Sequence, residues 1–210
     1  MRQMVRTVKR QHRTLDRSRL VALVRILWGQ PVFERRMTAV LLLEAFEPLV
    51  QPADISLLER LIRQSKTWAF VDQLAIAITG RLVEREPSLL RVLDRWATDD
   101  DFWVRRSAML ALLRPLRRGR GDFPRFARYA DRMLEEREFF IRKSIGWVLR
   151  ETGKPRPDVI YAWLLPRAAR ASGVTVREAV KYLSPAQRAE VLAAYRAATH
   201  PGRASGRAPR

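Results

Sequence analysis

Apolar residues recur along this chain at intervals of three and four, the spacing that lines one face of a helix, and almost nowhere alternate with period two. The breakers fall at intervals: Gly29-Gln30-Pro31, Gln51-Pro52, Pro87, Gly119 to Pro124, Gly153 to Pro157, Gly173 and Pro185. Between them the pattern predicts helices over 3–12, 17–29, 32–48, 54–65, 67–84, 87–97, 101–117, 123–136, 138–152, 157–171, 174–183 and 185–198. Several starts carry capping chemistry, with Asp54 before an apolar run, Asp100-Asp101 opening the next-but-two helix, and Ser184-Pro185 opening the last.

Four segments align without gaps: Phe33-Glu-Arg-Arg-Met-Thr-Ala-Val, Ala69-Phe-Val-Asp-Gln-Leu-Ala-Ile, Trp103-Val-Arg-Arg-Ser-Ala-Met-Leu and Phe140-Ile-Arg-Lys-Ser-Ile-Gly-Trp. Their fourth positions are Arg36, Asp72, Arg106 and Lys143, separated by 36, 34 and 37 residues. A period in that range with two helices per unit marks a helical repeat array, in which neighbouring units bury each other's apolar faces. The expected architecture is all-α, a HEAT-like α-α superhelix of antiparallel helix pairs with a concave face. One domain is expected over 1–198, followed by a disordered basic tail over 199–210 made of Gly, Ala, Ser, Pro and Arg. In such an array Arg36, Arg106 and Lys143 form a stripe at a pitch of about 10 Å, the helix-packing distance, suited to phosphates of a duplex. The same position can instead tie neighbouring repeats through a carboxylate, and for Arg36 the candidates are Glu34 and Glu44.

The charge balance sharpens the choice of partner. Lys+Arg is 41 against 22 Asp+Glu, a net charge of +19, which points to a polyanion and most simply to nucleic acid. Only five of the 41 are Lys, as a GC-rich genome would produce, but codon bias does not explain the excess of base over acid. There is no cysteine, so disulfides, thiolate catalysis and Cys-ligated zinc are excluded. His12 and His200 lie at opposite ends of the chain, without partners at ligand or triad spacing. No metal site or cofactor is expected. No apolar run reaches transmembrane length and no signal segment opens the chain, so the expectation is a cytoplasmic monomer that is not membrane-bound.

Trp68 and Asp72 are four residues apart on one predicted helix and therefore share a face. Trp147 follows Lys143 by four in another unit. An aromatic plane beside a carboxylate suits the stabilisation of a cation. Taken singly, either tryptophan would ordinarily be core, as Trp28, Trp96, Trp103 and Trp163 are expected to be. Asp72 stands out because an acid replaces the base found at its position in the other three repeats.

Lys66-Thr67-Trp68-Ala69-Phe70-Val71-Asp72 resembles the Trp-Asp-x-Val-Asp segment of the AlkD-like HEAT-repeat alkylpurine glycosylases of the DNA alkylation repair family. Phe102-Trp103-Val104-Arg105-Arg106-Ser107-Ala108 is similar to that family's Trp-x-x-Arg-x-Ala segment. The run from Glu138 through Phe139, Phe140, Ile141, Lys143, Ile145, Gly146 and Trp147 to Arg150-Glu151 matches Phe-Phe-Ile-x-Lys-Ala-Ile-Gly-Trp-x-Leu-Arg-Glu. Leu27-Trp28 followed by Glu34-Arg35-Arg36 also fits, and the matches keep their order over about residues 20 to 183.

The resemblance implies a DNA glycosylase that hydrolyses the N-glycosidic bond of cationic alkylated purines, of the 3-methyladenine and 7-methylguanine type, in double-stranded DNA. Trp68, Asp72 and Trp147 fall on the family's catalytic positions and Arg106 on its phosphate-contacting one. Lys143, Arg105, Arg36 and Arg150 are grouped with Arg106 as DNA contacts. Two departures stand out: Ala69 occupies the place of an Asp, and a leading helical region expected before Val5 is shortened. The alternative reading is a non-catalytic DNA-binding HEAT-repeat paralogue recognising distorted or branched DNA. A scaffold for protein partners fits the net charge less well.

Overall fold

Helix starts in this chain are set by side chains that accept from the first free backbone N–H groups. In the computed structural model, which describes residues 1–12 and 14–199, Asp16 caps Arg19 N, Asp101 caps Trp103 N, Asp122 caps Arg125 N and Ser172 caps Thr175 N. Ser184 accepts from Gln187 N at 3.3 Å, as its place before Pro185 predicts. Among the described residues there is no strand, and the all-α expectation holds.

Contacts group the chain into two compact units, Met1–Arg114 and a second from Pro115 onward. The first contains α1 (Arg2–Gln11), α2 (Arg17–Gly29), α3 (Phe33–Ala45), α4 (Ile55–Ser65), α5 (Trp68–Gln73), α6 (Gly80–Arg85), α7 (Leu90–Trp96) and α8 (Phe102–Ala111). A short α9 (Leu113–Leu116) follows, and the second unit continues with α10 (Phe123–Met133), α11 (Phe139–Gly153), α12 (Pro157–Leu164), α13 (Gly173–Ala179) and α14 (Pro185–Thr199). In the first unit α2 packs on α3, α4 on α5 and α8, and α7 on α8; in the second, α11 packs on α12 and especially on α13. Leu58, Leu61 and Ile62 of α4 and Phe126 of α10 are fully buried, each side chain contributing about 1.5–3 kcal/mol by leaving water. The basic tail expected from residue 199 onward lies, after Thr199, outside the described residues.

Several elements differ from the pattern's expectation. Helices expected over 32–48, 101–117 and 157–171 stop early, at Ala45, Ala111 and Leu164. In the first and third, Pro48 and Pro166 lie in short 3-10 turns that take over; in the second, α9 resumes after Leu112 and holds Pro115. Asp54 does not cap α4. Its carboxylate accepts from Gln51 N at 2.9 Å, capping the 3-10 turn Pro52–Asp54, and is gripped from α2 by Arg17.

The helix expected over 67–84 is continuous but not uniform. Between α5 and α6, Leu74–Thr79 forms a π-helical stretch in which Gly80 N donates to Ala75 O, five residues back. A wide turn of this kind holds one residue more than an α turn and rotates everything after it. The chain passes close to the end of α8 here. A Cβ at Gly80 would lie 2.7 Å from the Ala111 carbonyl oxygen, a backbone atom that cannot swing away. Gly80→Ala is therefore expected to destabilise the protein by about 1–3 kcal/mol despite alanine's better helix propensity, read as a lower urea midpoint with an unchanged slope.

Candidate active site and nucleic-acid interface

Lys66 ends α4 with φ 49°, the only positive φ outside glycine among the described residues. This left-handed turn sends the chain directly into α5. Thr67 caps the new helix through Ala69 N, and Trp68 becomes its first residue. There the residue is 56% exposed, unlike Trp28, Trp96, Trp103 and Trp163, which are buried as expected. One turn later stands Asp72, its side chain 16% exposed.

Asp72 is held by Arg106 of α8. Arg106 Nε donates to Oδ1 at 2.8 Å and Nη2 to Oδ2 at 2.9 Å, a parallel two-point grip from a guanidinium only 4% exposed. The two fourth positions of successive repeats thus meet each other. Burial of a pair like this leaves a costly orphan charge if either partner is removed, by about 3–5 kcal/mol. It also fixes the plane of the carboxylate. Each carboxylate oxygen keeps a lone pair outside the grip, and the residual exposure leaves the group reachable.

The basic residues expected to contact DNA all hold intramolecular partners. Arg106 serves Asp72. Arg36 lies over the Trp28 ring at 5.1 Å and donates to the carbonyls of Trp28 and Gln64, so it ties neighbouring repeats through backbone oxygens, not through Glu34 or Glu44. Arg105 closes the turn before its own helix by donating to Asp99 O and Asp100 O, and Arg142 does the same with Glu136 O six residues back.

In the second unit Lys143 Nζ donates to Glu178 Oε1 at 2.8 Å, and Arg150 donates to the other oxygen of the same carboxylate. Trp147 is half-buried on α11, one turn from Lys143. Beside it Gly146 has no room for a side chain, since a Cβ would lie 2.9 Å from Glu178 Cβ and 3.1 Å from Thr175 Cα. That close approach of α11 to α13 is what brings Glu178 to Lys143. Trp147 belongs to one unit and Trp68 and Asp72 to the other.

Glu178 was missed in the sequence. It stands 35 residues after Lys143 and is the fourth position of a fifth copy, Thr175-Val-Arg-Glu-Ala-Val. The period alone would have found it. Burial pushes its carboxyl up, but hydrogen bonds from Lys143 and Lys181 and the charge of Arg150 outweigh this and hold it at about 2. Among the described residues no helix is long and apolar enough to cross a membrane, and no three acidic or histidine side chains are grouped to hold a metal.

What fold and site define together is a helical-repeat protein with a rigidly held carboxylate next to an exposed tryptophan. The model of the DNA alkylation repair enzyme family matches residues 1–183, and the chain belongs to that family. Among solved structures, a predicted DNA alkylation repair enzyme from Enterococcus faecalis is similar with a TM-score of 0.78 at 20% identity, over 88% of this chain and 85% of that one. AlkD2 from Streptococcus mutans is similar with a TM-score of 0.67 at 20% identity, over 87% and 88%. The α-solenoid fold is thus shared. No curated protein matches the chain in sequence.

Protonating Glu178 removes its ion pairs. Because its folded value is depressed from an ordinary 4.5, the stability it supplies is present above that value and is lost as pH falls toward about 2. Glu178→Gln is expected to lose about 2–3 kcal/mol at neutral pH. In thermal melts across pH, the gap to wild type should close between these two values.

Proposed function

We propose that this protein is a DNA glycosylase that hydrolyses the N-glycosidic bond of cationic alkylated purines, of the 3-methyladenine and 7-methylguanine type, in duplex DNA during base excision repair. The observation that carries this reading is the Asp72 carboxylate, oriented by Arg106 and one helical turn from the exposed face of Trp68.

Alkylation at N3 or N7 places positive charge on the purine, so the base leaves neutral and needs no acid to protonate it. That suits a chain whose only histidines, His12 and His200, have no partners at triad spacing. The remaining requirement is to stabilise a sugar that develops oxocarbenium character. A carboxylate already held in place needs no reorganisation when that charge appears. Its lone pairs outside the Arg106 grip are disposed to face the cation or to orient the attacking water. Trp68 offers an electron-rich face one turn away, and Trp147 matches the family's other catalytic tryptophan in sequence. Arg106 acts in this scheme as a positioning residue, because its donors are turned to Asp72. The family membership and the net charge of +19 support DNA as the substrate polymer.

The test is release of 7-methylguanine from methylated duplex DNA. Wild type is expected to release the base, and Asp72→Asn, which keeps the shape of the side chain, to be slower by about 10²-fold or more. A folded wild-type protein that binds DNA but releases nothing would establish the non-catalytic DNA-binding paralogue instead.

A further inference from the structure

The internal pairing of Arg36, Arg105, Arg106, Lys143 and Arg150 leaves a question of where a phosphate backbone meets uncommitted positive charge. Helices α2 and α4 answer it. α2 carries Arg17, Arg19 and Arg25 and no acid, and α4 carries Arg60 and Arg63 with Glu59 as its single acid. Between the two helices run two adjoining cavities of about 430 and 450 Å³, and Arg25, Leu57 and Arg60 line both.

Arg25 and Arg60 are exposed, and among the described residues neither has a hydrogen-bond or ion-pair partner. They stand 35 residues apart, at matching places on the first helices of successive repeats. The nearby acids are already taken. Asp54, the one acid lining the cavities, receives Arg17 Nε at 2.9 Å, Arg17 Nη2 at 2.6 Å and Gln51 N at 2.9 Å. Glu59, beside Arg60 in sequence, receives Arg63, Arg95 and the Trp96 indole N–H. The groove therefore keeps two full positive charges over a wall of Val21 and Leu57.

We propose that the groove between α2 and α4 binds the phosphodiester backbone of DNA, with Arg25 and Arg60 as its phosphate ligands. The proposal rests on the DNA-binding part of the reading above. Each guanidinium presents a planar fork of donors that matches two phosphate oxygens. Helix-packing distances put successive repeats about 10 Å apart, so the two forks meet separate phosphates of a strand. Contacts here involve no guanidinium already engaged with a carboxylate, whereas Arg106 and Lys143 share their donors with Asp72 and Glu178. One end of the groove is formed by Gly29 and Gln64, next to the turns that lead into α3 and α5. Gln64, at that end, stands four residues before Trp68 in the chain.

The experiment measures DNA affinity of the full chain by fluorescence anisotropy at several salt concentrations, roughly 50–200 mM. The probe is an unmodified duplex. The double variant Arg25→Ala/Arg60→Ala should bind about tenfold or more weakly, and the slope of log affinity against log salt should fall by about two. Arg188→Ala/Arg196→Ala, which removes the same charge from α14, should leave the slope unchanged. Arg25→Lys/Arg60→Lys should restore the slope. Both pairs of positions are exposed, and matching thermal midpoints will show that each of the three variants is folded. If wild type binds and the Arg25/Arg60 variant behaves like the α14 control, the groove is not a DNA contact and the proposal fails alone. If wild type binds no DNA at any salt, the DNA reading itself fails.

Discussion

The interaction on which this structure depends is an ion pair or polar contact thrown from one repeat to the next, about 36 residues away. Arg17 reaches Asp54, Arg63 reaches Asp99, Arg106 reaches Asp72, Lys143 reaches Glu178 and Arg167 reaches Asp131, at sequence separations of 37, 36, 34, 35 and 36. Trp28 to Gln64 and Trp96 to Glu59 repeat the reach with indole N–H donors. Paired helices bury apolar faces against neighbours without specifying register, because leucines accept many partners. A two-point guanidinium–carboxylate contact accepts one geometry. The exposed members add little free energy; the buried ones select the register, since any slip would strand a charge.

This ladder also explains the composition. A fork of fixed donors suits such a tie better than an ammonium does, and Arg supplies four of the five ion pairs named above. Many of the 22 acids are consumed inside the ladder. Positive charge is consequently left over where the nearby acids are already engaged, as at Arg25 and Arg60. The net charge of +19 thus overstates what any one face offers to DNA, and the positions conspicuous in the repeat alignment are ones that already hold partners.

The helices, the period and the buried tryptophans were legible because each depends on local spacing. The fourth-position column was legible too, including the odd acid at Asp72. What spacing could not reveal was direction. It assigns Arg106 and Asp72 to the same column but does not tell whether adjacent charges turn outward to a ligand or toward each other. The ties of Lys143 and Arg150 are hidden for the same reason, their partner Glu178 standing in the next copy of the repeat. The exposure of Trp68 depends on the left-handed turn at Lys66, a conformation that nothing in the Lys side chain advertises. The π turn at Leu74–Thr79 ends where Gly80 meets the Ala111 carbonyl, a contact between elements that periodicity does not contain.

In the proposed reaction the same contact has two duties. The Asp72–Arg106 pair ties the α5 repeat to the α8 repeat, and it also sets the carboxylate in place before substrate arrives. A solvated aspartate on a surface helix would reorient as the sugar became cationic, and that reorganisation would add to the barrier. Here the fold has already met that cost, through a guanidinium that packing keeps dry. The arrangement has a consequence for how the site can vary. Trp68, at the exposed first turn of α5, can change without disturbing the ladder, whereas Asp72 and Arg106 can change only together. On the proposed reading an altered specificity is therefore reached through the aromatic positions, while the carboxylate and its guanidinium persist as a unit for as long as the repeats stack in this register.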